Sequence, residues 1–348
     1  MKQETGGSLT IARLSGDRPH ASAKVHRERP TWQRSLHNAI RSRNELLQFV
    51  GLPVDQAPET DFRVLVTREF AGRMRKQDPD DPLLKQMLPD AAESDHVEGF
   101  TSNPVGDDAA RVAPGLLHKY AGRALIITTG ACAVHCRYCF RRDYPYIETS
   151  DRSHKYRDAV EAVAADSSID EVILSGGDPL TLTDHAMAKL LTKIESVDHV
   201  SRLRIHSRIP IVLPSRITRS LIHRLQRSRL SVWWVVHINH PAELDETTLK
   251  ALSSLVKAGF PVLNQSVLLR GINDNVDTLA ELSTRLINAQ VMPYYLHQLD
   301  RVHGAAHFEV AEDTGLALVA KLRERLPGYA VPQYVREIAG EASKTPIA

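Results

Sequence analysis

The chain has 348 residues, with 44 Lys and Arg against 42 Asp and Glu, and 42% of it is hydrophobic. That length admits one large α/β barrel or two ordinary domains. The charge balance gives no electrostatic case for a nucleic-acid binder, and no stretch approaches the ~18 uninterrupted apolar residues of a membrane helix. The 3 cysteines are odd in number and too few to staple such a chain with disulfides; all lie between 132 and 139.

Residues 1–30 carry Gly6-Gly7, Ser15-Gly16 and scattered arginines with almost no apolar periodicity, which reads as a flexible leader. The stretch lacks the ~7–15-residue apolar run of a secretory signal, and Glu4, Asp17 and Glu28 fit poorly with a transit peptide, so a cytoplasmic protein is expected. Leu36, Ile40, Leu47 and Val50 recur at helical spacing across 32–50. Short helices are expected over 64–76 and 81–88, split by Pro79, Pro82 and Pro89, so that 31–113 forms a small helical N-terminal domain.

Beyond about residue 122 the pattern changes. Strand-like runs at 124–129, 171–175, 202–206, 233–239, 261–269 and 291–299 alternate with helix-like segments at 156–165, 184–195, 218–228, 245–257, 276–288 and 313–325. Successive βα units imply parallel strands joined by right-handed crossovers, hence a partial TIM-type (β/α)6 barrel over 114–326, followed by a short segment at 327–348. Polar residues gather where the strands end: Cys132 onward, then Ser175 to Asp178, then His206-Ser207-Arg208. His237 and Asn239, Gln265, and His297 with Asp300 continue the series. Barrel active sites sit at the C-terminal strand ends, so these clusters predict one shared cavity.

The cysteines read C-x3-C-x2-C, as Cys132, Cys136 and Cys139. That spacing lets three thiolates converge within one loop, which suits a metal or an iron–sulfur cluster better than disulfides. His135 offers a fourth ligand for zinc but lies between two of the cysteines, where sharing one tetrahedron is strained. A [4Fe–4S] cluster normally takes four cysteines, so three leave one iron open to an external ligand.

With Tyr138 before the last cysteine and a strand before the first, this loop resembles the signature of the radical S-adenosylmethionine (SAM) superfamily. There SAM chelates the open iron. Gly176-Gly177-Asp178 resembles the superfamily's Gly-Gly-acid element, which contacts the SAM amino group, although alone it would be a plain turn. From about residue 80 to the C-terminus the chain is similar to lysine 2,3-aminomutases. The matching runs are 114–120, 136–142, 174–180, 203–208, 237–241, 263–274, 292–300 and Ser343-Lys344-Thr345-Pro346.

The resemblance implies that Lys344 holds pyridoxal phosphate (PLP) as a Schiff base, a role that a tail lysine would not suggest by itself. It implies that Lys119, Tyr120 and Arg123 grip the PLP phosphate and ring, with Lys119 where the family commonly has Arg. His206, Ser207 and Arg208 fall to the SAM pocket, and His237, Asn239 and Gln265 to the SAM and PLP cavity. Arg141 stands where the family binds the substrate carboxylate, a task that suits the guanidinium fork. Asp300 and Glu337 stand where two aspartates hold the distal ammonium of lysine; Glu337 keeps the charge and adds a methylene.

The expected activity is therefore radical SAM, PLP-dependent conversion of L-lysine to (R)-β-lysine. The chain stops four residues after Lys344, and Gly340-Glu341-Ala342-Ser343 replaces a glycine-rich run. Both features resemble the short bacterial branch that supplies β-lysine for modification of elongation factor P by a separate lysyl ligase. The resemblance also implies an electron donor such as flavodoxin or ferredoxin and admits a homo-oligomer. Within the class, a catabolic or osmolyte-producing lysine aminomutase and a glutamate or arginine aminomutase stand as alternatives; from another class, a non-catalytic iron–sulfur or zinc module.

Overall fold

The computed structural model describes residues 31–54, 62–146 and 156–348, so the leader expected at 1–30 lies outside the described residues. Ten strands form one sheet in sequence order: β1 (Arg111–Ala113), β2 (Leu116–Tyr120), β3 (Arg123–Ile127), β4 (Glu171–Ser175) and β5 (Arg202–Ser207). β6 (Ser231–His237), β7 (Val262–Val267), β8 (Met292–His297), β9 (Gln333–Arg336) and β10 (Thr345–Pro346) complete it. Strands β3 to β9 run parallel, while β1, β2 and β10 pair antiparallel at the two ends.

The expected six βα units are β3 to β8, each followed by its helix: Arg157–Ala165, Asp184–Glu195, Arg219–Gln226, Glu246–Lys257, Val276–Asn288 and Glu312–Arg325. Four of these start the same way. Thr183, Thr218, Asp245 and Asn275 each accept a hydrogen bond from the backbone N–H three residues on, which satisfies a donor the first turn leaves orphaned and stabilises each start by ~1 kcal/mol. Behind the cap the apolar positions recur on one face, as in Leu279, Leu282 and Leu286, and are buried against the sheet.

The sheet is larger than the six-strand expectation. The helix Glu312–Arg325 returns the chain to a seventh parallel strand, β9, on which β10 folds back. Gly315 in that helix leaves room for the Tyr334 ring, since a Cβ there would stand 2.2 Å from the Tyr334 hydroxyl oxygen. On the other side, the turns at Gly115 (φ 74°) and Gly122 (φ 75°) fold β1 and β2 onto β3. Residues on both sides of 114 and of 326 thus share one sheet.

The single helix expected over 32–50 is two, Thr31–His37 and Arg43–Val50. Ser42 accepts the Glu45 N–H and begins a new helix, while Ile40 exchanges two backbone hydrogen bonds with Val66 (2.8 and 3.0 Å). Over 64–76 and 81–88 the helices shrink to Arg68–Ala71 and Pro82–Lys85, one turn each. No helix among the described residues is long and apolar enough to cross a membrane.

Candidate active site

A cavity of about 940 Å³ opens at the C-terminal ends of the parallel strands. Of the residues singled out from the sequence, all but Asn239 line it. Asn239 is fully buried behind the wall, where its amide donates to the Tyr138 hydroxyl (2.7 Å) and to Gln86 Oε1 (3.1 Å).

At one end stand the three free thiols, on the loop after β3. Burial and the neighbouring thiols push Cys132 well up and Cys139 up to about 11, so these two become thiolates there only beside a cation. This donor set fits an iron–sulfur cluster. The loop is seated by the Gly-Gly turn after β4: Gly177 N–H donates to Thr129 O (2.7 Å) and Asp178 N–H to Ala131 O (2.8 Å). A Cβ on Gly177 would lie 2.3 Å from Ala131 O, and one on Gly176 2.6 Å from Thr129 O, so only glycine permits this approach.

The Asp178 carboxylate is occupied by the chain itself. It accepts from Ser207 Oγ (2.8 Å) and from the N–H groups of Leu180, Arg208 and Ile209, while burial raises it to about 6. Arg208 Nη1 donates to Cys136 Sγ (2.7 Å) and to the Tyr138 hydroxyl (2.5 Å), and its Nη2 pairs with the fully buried Glu243 (3.0 Å). The Tyr138 hydroxyl also meets His237 Nε2 at 3.0 Å.

The opposite end is ionic. Asp107, on the loop before β1, holds both Arg141 (2.7 Å) and Lys119 (2.8 Å), and Arg141 also reaches Ser175 Oγ (3.3 Å). Paired β9 and β10 bring Glu337 and Lys344 together at the mouth of their hairpin as an ion pair. Glu337 Oε1 also accepts from the Tyr120 hydroxyl (2.7 Å) and faces Lys119 (3.4 Å); despite burial, these cations hold its carboxyl below the usual range. The Arg123 guanidinium stacks on the Tyr120 ring at 4.6 Å.

Asp300, just past β8, is raised to about 7, first by burial and then, against the pull of Lys344, by Glu337. Burial holds His206, His237 and His297 well below their ordinary range, so all three present neutral imidazoles. His206 Nε2 is buried without a hydrogen-bond partner, and Lys119, Tyr120, Arg123 and Lys344 line the same space. An unmet polar atom beside a cationic, aromatic cradle and an amine fits an aldehyde-bearing phosphate cofactor. The residues that sequence reasoning missed are Asp107 and the buried Gln86 and Glu243. None sits in a motif; each is recognisable only through the arginine or lysine that folding places beside it.

The parallel sheet with a three-thiol loop over its first strand end defines a radical SAM enzyme, and a model of the radical SAM superfamily matches residues 126–282. The chain is 46% identical over 325 residues to an L-lysine 2,3-aminomutase of Escherichia coli, covering 92% of this chain and 95% of that protein. The Haemophilus influenzae L-lysine 2,3-aminomutase is 41% identical (92% and 96% covered), and that of Clostridium subterminale 33% (91% and 77%). The chain belongs to the L-lysine 2,3-aminomutase family and is an isomerase. Membership in the radical SAM superfamily implies a [4Fe–4S] cluster and SAM.

Proposed function

We propose that this enzyme converts L-lysine to (R)-β-lysine, with Cys132, Cys136 and Cys139 holding the cluster and Lys344 holding PLP. The observation that carries this reading is that the thiol loop and Lys344 line one cavity, with Arg141 and Asp300 on the same wall system. When bound, the reduced cluster and SAM supply a radical able to take hydrogen from an unactivated C–H, and PLP supplies an imine carbon for the migrating nitrogen.

The chain's own residues bind and orient. Arg141, fixed by Asp107 and Ser175, offers the rest of its fork to the substrate carboxylate. Asp300, half-buried and costly to ionise there, favours an incoming ammonium, and Glu337 stands with it as the second carboxylate. Lys119, Tyr120 and Arg123 take the PLP phosphate and ring. Gly176, Gly177, Ser207, Arg208, His237, Gln265 and, from behind, Asn239 form the SAM side of the cavity, while His206 turns its unmet Nε2 to the PLP side.

Purified protein reconstituted anaerobically with iron, sulfide, SAM, PLP and a reductant should yield β-lysine and 5′-deoxyadenosine from L-lysine, separated by chromatography. Formation of neither product would sink the reading. The product is proposed to serve modification of elongation factor P by a separate ligase in the cytoplasm, with flavodoxin or ferredoxin as electron donor; the Gly340 to Ser343 run supports this branch. Elongation factor P from cells lacking this gene should then be lighter by the β-lysyl group, and an unchanged mass would remove that role.

A further inference from the structure

Lys344 is itself an alkylammonium, the same group as the tail of the proposed substrate. Its Nζ pairs with Glu337 Oε2, while Glu337 Oε1 is already taken by Tyr120 and Lys119. Asp300 has no hydrogen bond or ion pair from its carboxylate among the described residues, and Lys344 is the cation that acts on it most strongly. The other charges facing this spot are committed. Lys119 sits on Asp107, Arg141 sits on Asp107, and His206 and His297 are neutral. The Lys344 ammonium therefore already fills the Glu337 half of this carboxylate pair, and a second ammonium brought there would meet it.

We propose that in the PLP-free chain Lys344 occupies the subsite for the distal ammonium of lysine, so that PLP must capture Lys344 before lysine binds. This rests on the reading of Asp300 and Glu337 given above. When the PLP carbonyl joins Nζ, water leaves, the ammonium proton passes to solvent, and Nζ is withdrawn from Glu337. The two carboxylates are then open to a free ammonium. The loading order is built into the β9–β10 hairpin, because the same turn that anchors the cofactor blocks the substrate. A tethered competitor acts at an effective concentration on the order of millimolar or more, enough to set the order against a free amino acid.

The test is calorimetric titration of the full-length, cluster-bearing, PLP-free protein with L-lysine and with L-norleucine, which lacks the distal amine. Lys344→Met should bind lysine roughly tenfold more tightly than the PLP-free wild type, with no gain for norleucine. Equal lysine affinities would overturn the proposal, as would an equal gain for norleucine, because emptied space alone would then explain it. The double variant Glu337→Gln/Lys344→Met leaves no unpaired carboxylate at that position and should lose most of the gain; keeping it all would also overturn the proposal. Unchanged lysine turnover in PLP-loaded Asp300→Asn would instead defeat the subsite reading itself, separately from the loading order.

Discussion

The two ends of the cavity are built by different physics. At the thiol end, position is set mainly by backbone contact: the Gly176-Gly177 turn presses against 129–131 so closely that a methyl group does not fit, and hydrogen bonds tie Tyr138, Asn239 and Gln86 behind it around one buried Arg208–Glu243 pair. At the lysine end, position is set by charge. Arg141, Asp107, Lys119, Glu337 and Lys344 form a run of alternating sign drawn from widely separated segments. A steric seat fails abruptly when filled, whereas a charge network redistributes when one member is lost, and the substitutions below separate the two behaviours.

The broadest effect, on both stability and cluster binding, is expected from Gly177→Ala. With its Cβ 2.3 Å from Ala131 O, either the turn or the cysteine loop must move, at a cost of ~1–3 kcal/mol. Denaturant unfolding should show that loss, and iron analysis should show a protein that no longer holds its cluster. A stable variant with full iron content would mean the seat is more yielding than described.

Next comes Lys344→Ala, which should abolish the visible absorbance of lysine-bound PLP while iron content stays at the wild-type level. If that absorbance persists, the anchor lies elsewhere; if iron is lost as well, the two ends are not independent.

Asp300→Asn is a narrower lesion. Losing a hydrogen bond to a charged group costs about 1.5–3 kcal/mol, so kcat/KM for lysine should fall by the corresponding factor while SAM binding holds. In the wild type, lysine binding should strengthen as pH rises through about 7, because the substrate ammonium needs the ionised carboxyl. The sign reverses for the stability of the lysine-free fold: a raised carboxyl pKa stabilises the folded state below the ordinary 3.8, and this contribution is lost as pH rises through about 7. Asp300→Asn should flatten both profiles.

The smallest change is expected from Lys119→Arg. The Lys119 ammonium bonds Asp107, Glu337 and the Val105 carbonyl as a compact charge, and Arg keeps that charge. Weaker PLP binding than in the other lysine-end variants would show that the ammonium's size, not only its charge, matters here.

The same contrast explains what the sequence made legible. The strands and helices of the six βα units follow from period-2 and period-3.6 patterns with Thr, Asp or Asn at the helix starts, which are local signals. β9 and β10 were hidden because Gln333–Arg336 is short and its neighbour β8 lies more than thirty residues back, with a helix between them. Pro114-Gly115 and Ala121-Gly122 did carry turn chemistry for the β1–β2–β3 meander, but those strands alternate poorly: Leu116 and Leu117 are both buried. In the site, the cysteines and the glycine turn stand out by spacing within a motif, whereas Lys344 stands out only through the family resemblance. Asp107 stands out by neither. Its partners are Lys119 and Arg141, and only the fold places them side by side.

One measurement joins the two ends directly. L-lysine deuterated at the β-carbon, turned over anaerobically by the reconstituted enzyme, should place deuterium in 5′-deoxyadenosine and return part of it to β-lysine, because the residues proposed to hold SAM, PLP and substrate line one cavity. If β-lysine forms while 5′-deoxyadenosine stays free of deuterium, the thiol end does not act on a substrate held at the lysine end, and the single-site account is wrong.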